Sequence, residues 1–140
     1  MISTVENLLL SGRALSTGEG LLPSEQQTER LDSFVSDVPP LNQPPLEGYL
    51  AYGLGLGNDH GWIGHNGQTP GYTTYLFYNP ELDAVVVVEV NSDIPSGDCP
   101  TDTPTMADQP RGLTCHTPAD RIFSALAEAL GKPAPSPAGT

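Results

Sequence analysis

The chain has 140 residues, a length that suits one hydrophobic core and not two. Only 37% of it is hydrophobic, and 15 glycines with 15 prolines commit much of its length to turns and loops. Seventeen acidic residues against five basic ones give a formal net charge of -12, which repels phosphate backbones and anionic lipid and so excludes nucleic-acid and membrane-surface binding.

No run of 18 apolar residues is present, so no membrane span is expected. The opening "MISTVENLLLSGRAL" has neither the basic n-region nor the small-residue cleavage site of a signal peptide. Ser3 followed by Glu6 reads as a capping box opening a helix through about Leu15, with Val5, Leu8, Leu9 and Leu15 as its apolar face and "TGEG" as its end. "LLPSEQQTERL" starts a second short helix near Pro23 or Ser24. Residues 36–48 hold four prolines and read as an extended crossing segment.

From Tyr49 the period changes to two. Leu50, Tyr52, Leu54 and Leu56 share one face of a predicted strand whose glycines allow close backbone approach. Asn58 to Gly61 makes a turn into a second strand, Trp62–Gly67. "TTYLFY", Thr73 to Tyr78, is a third, and residues 79–83 are a hairpin loop into a fourth, Ala84 to Val90, whose run of valines implies cover on both faces. Thr117, Pro118 and Asp120 are an N-cap, an N1 proline and an acidic third position; Ile122, Phe123, Leu126, Ala129 and Leu130 then recur at helical spacing before Gly131 and Pro133 close the helix. The expected fold is α+β, a mainly antiparallel sheet with helices packed on its faces. The expected organisation is one domain over 1–131, interrupted by a loop at 93–116 bracketed by Cys99 and Cys115, and a disordered Pro/Ala/Ser tail at 132–140.

In an exported protein Cys99 and Cys115 would pair, closing a loop of roughly 15 residues worth about 3 kcal/mol on the chain-entropy account; in a reducing compartment they would be free thiols. The disulfide is expected, since nothing else in so hydrophilic a stretch would order it. An exported-type loop without an export signal points to a start at an internal methionine.

The order of elements, with "GEGLLPSE", "YGLGLG" and "GWIGHNGQTPGYTTYLFYNPE", resembles the C-terminal half of the serine β-lactamase family. That family includes class C β-lactamases, penicillin-binding D-alanyl-D-alanine carboxypeptidases and related esterases. The resemblance runs from Thr4 to about Leu130 apart from the cysteine loop, and its most specific part is His65-Asn66-Gly67 followed by Pro70-Gly71-Tyr72. It matches the His-x-Gly form that carboxypeptidase-like members have in place of Lys-Thr-Gly. The resemblance implies that His65, Asn66, Gly67 and Gln68 line the substrate, that His65 acts catalytically, and that the backbone N–H of Gln68 is one of two oxyanion donors. The chemistry suits such roles. A glycine lets a substrate approach the strand, an imidazole can hold a carboxylate or move a proton near neutral pH, and an oxyanion donor is worth about 3–4 kcal/mol in the transition state.

The family's other two motifs, Ser-x-x-Lys and Tyr-x-Asn, are absent. Lys132 is the only lysine, no serine stands three residues before it, and none of Tyr49, Tyr52, Tyr72, Tyr75 and Tyr78 has an asparagine two residues on. Without a nucleophile and base, acyl transfer has no covalent step, so this chain alone is not expected to hydrolyse an ester or a β-lactam. The expectation is a C-terminal fragment of an exported serine hydrolase, whose full-length parent takes a peptide, β-lactam or ester substrate. Rival readings are a non-catalytic module binding peptidoglycan or a protein partner, and one half of a split hydrolase that docks with an N-terminal half or with a second copy. No cofactor or metal is expected: Asp59, His60 and His65 lack a further carboxylate, and "GLGLG" is not followed by the helix of a dinucleotide site. Trp62 and the tyrosines read as sheet packing, and the acidic excess as a solvated surface.

Overall fold

A computed structural model of the chain describes residues 3–35, 51–97, 99–100, 102–105, 108 and 115–134. The described helices are α1 (Val5–Thr17), α2 (Ser24–Asp32) and α3 (Pro118–Ala129). Five strands, β1 (Ala51–Tyr52), β2 (Gly57–Asp59), β3 (Trp62–Thr69), β4 (Tyr72–Asn79) and β5 (Ala84–Val90), form one antiparallel sheet in chain order. A separate two-stranded ribbon joins β6 (Ser96–Gly97) to β7 (Cys115–His116). This is the α+β fold expected. The described residues group into two units, one drawn from residues 3–35, 51–65 and 76–87, the other from 66–75 and the stretches beyond 87. The proline-rich crossing at 36–48 lies outside the described residues.

In the first unit, α1 begins one residue later than the capping box predicts. Thr4, not Ser3, is the N-cap, and its hydroxyl accepts from the Asn7 N–H at 3.4 Å. Glu6 therefore stands at the second helical position, where backbone N–H groups and the Thr4 hydroxyl hold its carboxyl below the usual range. Gly18, with φ 77°, terminates the helix in the left-handed conformation that glycine tolerates. The face that packs also differs from expectation. Gly12 and Ser16 are buried, Val5 and Leu9 are exposed, and a Cβ added at Gly12 would meet Val85 Cγ1 at 2.9 Å. Small residues bring the helix close, so the larger apolar ones end up beside the contact rather than in it.

α2 starts behind Pro23 and is tied to the end of α1 by Gln27 Nε2, which donates to Ser16 O at 2.8 Å. The strand predicted from Tyr49 through the glycines does not run straight. It breaks after Tyr52, turns through residues 53–56 with a Gly53 N–H to Leu56 O bond of 2.9 Å, and returns as β2, with Ala51 opposite Asn58 and Tyr52 opposite Gly57. Gly55, at φ 72°, makes that reversal, so Leu54 is exposed while Leu56 is 2% exposed. An alternating pattern cannot distinguish a straight strand from two short ones joined at glycine.

Trp62 on β3 and Phe77 on β4 are the largest side chains buried in this unit, each worth about 2–3 kcal/mol against exposure. Asn79 closes the β4–β5 loop by accepting from the Glu81 and Leu82 N–H groups at 3.0 and 3.1 Å. Beyond it, Asp83 sits at φ 50°, accepts from the Tyr78 hydroxyl at 3.0 Å and pairs with Arg13 of α1. The Tyr78 and Arg13 hydrogen bonds lower the Asp83 pKa, while burial pushes that of Tyr78 up.

In the second unit, the Thr117 hydroxyl accepts from the Asp120 N–H at 3.1 Å, with Pro118 at the first helical position, as predicted. The buried face of α3 is Ala119, Phe123 and Ala127; Ile122, Leu126 and Leu130 are 41–46% exposed. The helical period was right, but one stripe of the apolar face stands in the open. Along the sheet, Val86 and Val88 are buried and Val85, Val87 and Val90 half-buried, so the valine strand is not an exposed face. Cys99 and Cys115 form the expected disulfide, with Cα atoms 5.1 Å apart. Past α3, Lys132 N donates to Ala127 O and Ala134 is buried, while tail residues 135–140 lie outside the described residues.

Two outcomes follow from this packing. A Cβ at Gly64 would lie 2.7 Å from Phe77 Cα, so Gly64→Ala is expected to destabilise the protein by about 2–3 kcal/mol, read as a lower urea midpoint at unchanged slope. Asp83 has a depressed folded-state pKa, so its contribution to stability is fully present above the unfolded carboxylate pKa and is lost as pH falls through the folded value. Asp83→Asn, which tolerates the same left-handed backbone, should remove that part of the acid dependence in melts taken below pH 5.

Candidate functional site

β3 carries the tripeptide, and its start is set by a tight turn. His60 and Gly61 both have positive φ, 52° and 88°, as a two-residue type I′ hairpin requires, and Asn58 Oδ1 accepts the Gly61 N–H at 2.9 Å. Asp59, 7% exposed, accepts from or shares a proton with His60 Nδ1 at 2.7 Å. That contact holds the His60 ring at the turn. β2 pairs with β3 only from Asp59 opposite Trp62 to Gly57 opposite Gly64. β3 then runs five residues further to Thr69, where Pro70 and Gly71, at φ 82°, turn the chain into β4.

Alternation along this extension puts the His65 and Gly67 side positions on one face and those of Asn66 and Gln68 on the other. His65 is exposed, and its Nε2 shares a 2.8 Å hydrogen bond with the Tyr52 hydroxyl. The two rings meet edge to face, with centroids 5.7 Å apart and an interplanar angle of 75°. Tyr52 is itself held in place. Its backbone exchanges hydrogen bonds with Val35 at 3.0 and 3.3 Å. The turn after it is clamped from α2, where Arg30 Nε donates to Leu54 O at 3.0 Å and Ser33 Oγ accepts from Leu54 N at 2.8 Å. A shallow, mostly apolar pocket of about 70 Å³ lies beside His65, lined in part by Ser16, Leu56, Gly64 and Leu76. Pockets that enclose a whole small-molecule ligand are several times larger, about 300–1,000 Å³.

Asn66 is half-buried and its Nδ2 donates to the Tyr75 hydroxyl at 3.4 Å. Gly67 and Gln68 are exposed. The glycines of β3 differ in an instructive way. Gly64 has no room for a Cβ because the β4 backbone lies against it, whereas at Gly67 the nearest heavy atom to an added Cβ is Thr74 Cβ at 3.9 Å, and its φ is ordinary. Among the described residues, neither space nor backbone conformation requires glycine at 67.

Of the residues singled out in the sequence, the structure brings His65, Asn66, Gly67 and Gln68 onto one strand extension and joins Cys99 to Cys115. Sequence reading missed Tyr52 and Tyr75. Placing Tyr52 beside His65 depends on the reversal at Gly55, whose only sign was the glycine spacing of "YGLGLG". His116, next to Cys115 in the chain, is 6% exposed with its Nδ1 2.9 Å from Asp120 Oδ2.

The Tyr52 bond can be tested alone. Tyr52→Phe is expected to keep the fold, lower stability by about 1 kcal/mol, and change the tautomer balance of the His65 imidazole in a 15N spectrum; an unchanged imidazole pattern would remove Tyr52 from the site.

A family model described as Beta-lactamase matches residues 1–110, which include α1, α2 and the whole five-stranded sheet. Neither a curated protein nor a solved structure matches the chain. Since the match takes in most of the 140 residues and the entire strand that carries His65, the chain belongs to the beta-lactamase family of serine-hydrolase-like proteins.

Proposed function

We propose that this chain supplies the substrate-strand side of a serine-hydrolase active site, of the class C and carboxypeptidase-like kind, as the C-terminal portion of that site. The acyl group would come from a peptide, an ester or a β-lactam. The nucleophilic serine, its lysine and the Tyr-x-Asn motif would come from residues outside these 140, because the sequence contains neither motif. The observation that carries this reading is the strand extension beyond Gly64: an exposed imidazole held by Tyr52, then a glycine that no described neighbour requires.

In this reading an extended substrate lies along β3 and pairs with its backbone, and Gly67 lets it come close. The Tyr52 hydroxyl orients His65 so that the imidazole receives a substrate carboxylate or passes a proton. The Gln68 N–H is one oxyanion donor, worth about 10²–10³ in rate. Asn66, whose amide is turned to Tyr75, anchors the strand from behind rather than touching substrate. A complementary half also fits the apolar side chains left in the open on the helices, Leu10 on α1 at 75% exposed and Ile122, Leu126 and Leu130 on α3. The disulfide fits a parent exported to an oxidising compartment.

The chain alone is expected to give no steady turnover of nitrocefin or p-nitrophenyl esters, and turnover should appear when a segment carrying Ser-x-x-Lys and Tyr-x-Asn is co-expressed with it. In that complex Gly67→Ala should lower kcat/KM by about tenfold or more while leaving the stability of the chain within about 0.5 kcal/mol. Turnover by the chain alone, or a Gly67→Ala complex as active as the parent, would overturn the reading.

A further inference from the structure

β2 leaves β3 early, and a pocket opens where it does. The pairing stops at Gly57 opposite Gly64, and the chain before it turns through residues 53–56. Beside His65 the place of a neighbouring strand is taken by that turn, and the pocket of about 70 Å³ is lined from the turn, β3, β4 and α1. Its floor is buried: Leu56 is 2% and Ser16 4% exposed, and Gly12 and Gly64 are buried. Its rim is open. His65 and Gly55 are exposed, and among the described residues no heavy atom lies within 4 Å of a Cβ added at Gly55. The walls are set by the fold: Gly64 has the β4 backbone against it, Gly12 has Val85, and the Ser16 hydroxyl donates to Ile63 O at 2.9 Å. What faces the space is then chiefly hydrocarbon, from Leu15, Leu56 and Leu76.

We propose that this pocket receives one small aliphatic group of the substrate, from a methyl to an isopropyl, beside the His65 imidazole. That His65 faces substrate is taken from the proposed function; the pocket itself lies within the first unit and stands on its own walls. Volume chooses the occupant. An apolar cavity of about 150 Å³ stays dry and holds benzene, so one of about half that size takes a group of about one to three carbons. A preformed apolar hollow gains from hydrocarbon and little from water, which finds few hydrogen-bond partners there while the Ser16 hydroxyl donates to Ile63 O. A charged or hydroxylated group would give up hydration without return. In strand-addition binding the backbone supplies affinity and side-chain pockets supply choice, and this pocket stands where β3 loses β2. A hydrogen in place of the methyl leaves the hollow unfilled. A phenyl ring exceeds it and meets walls that cannot yield at Gly12 and Gly64.

Two measurements test the pocket and its occupant apart. In the 15N-labelled chain alone the probe is xenon under pressure, which enters small apolar cavities. The amides of Leu15, Leu56, Gly64 and Leu76 are expected to shift saturably, while those of residues 25–29 in α2 stay in place. Leu15→Phe, which fills the space from α1, should abolish the response, and Leu15→Ala, which widens it, should keep it. No shift at these amides in the parent chain would overturn the pocket. The second measurement uses the chain co-expressed with a segment carrying Ser-x-x-Lys and Tyr-x-Asn. Two substrate series vary the side chain on either side of the scissile bond through hydrogen, methyl, isopropyl and benzyl. In one series methyl and isopropyl are expected to exceed hydrogen and benzyl by about tenfold in kcat/KM, and Leu15→Ala should raise the benzyl member relative to the methyl one. A kcat/KM independent of the side chain in both series would overturn the occupant and leave the proposed function standing. No turnover of any member would overturn the proposed function and the occupant with it, while the xenon response would still decide the pocket.

Discussion

In each unit a tyrosine hydroxyl fixes one side chain of β3. Tyr52 meets His65 at 2.8 Å and Tyr75 receives Asn66 at 3.4 Å. An isolated strand extension has little to fix the rotamers of its side chains, because each χ angle left free keeps entropy that ordering must overcome. A phenol suits the task. Its ring packs into a hydrophobic setting while its hydroxyl still reaches a polar partner, so the hydrogen bond is made at low cost in side-chain freedom. Tyr75 is 8% exposed and does this from the core; Tyr52 does it from a short hairpin clamped by α2.

The clamp on Tyr52 shows how local chemistry reaches the site. Arg30 and Ser33, at the end of a polar helix, satisfy both backbone groups of Leu54 in the turn. A turn with glycine at 53 and 55 has many accessible conformations, and those two bonds select one. The result is a tyrosine delivered beside a histidine thirteen positions on. Arg13, Asp83 and Tyr78 tie α1 to the β4–β5 loop, with cation and ring 5.7 Å apart.

Glycine plays opposite parts along one strand. At Gly64 the neighbouring backbone occupies the space of a side chain, so the fold itself demands the residue. At Gly67 the same substitution would meet only an ordinary contact at 3.9 Å. Glycine in a strand interior weakens it, and among the described residues only Gly64 has a packing reason on β3. The beta-lactamase family match covers the whole of this strand.

Much of the fold was legible because it follows from local rules. The fourth predicted strand, Ala84 to Val90, agrees with β5, and the Thr117–Pro118–Asp120 start of α3 is confirmed by its capping bond. The hairpin turns at His60–Gly61 and Pro70–Gly71 lie where residue chemistry permits positive φ. The helix faces were less legible. Period alone cannot say which of several apolar stripes will be covered, and close approach at Gly12 and at Ala119 with Ala127 left the bulkier Leu10, Ile122 and Leu126 outside. The sequence by itself determined the three helices, the hairpin strands β3 to β5 and the place of His65-Asn66-Gly67 on one of them, since those depend on residue type and spacing along the chain. Only the tertiary structure decided that Tyr52 meets His65, that Tyr75 meets Asn66 and that Phe123 lies against Tyr75. Those contacts join residues distant in sequence, and distance in sequence carries no record of which side chains folding will bring together.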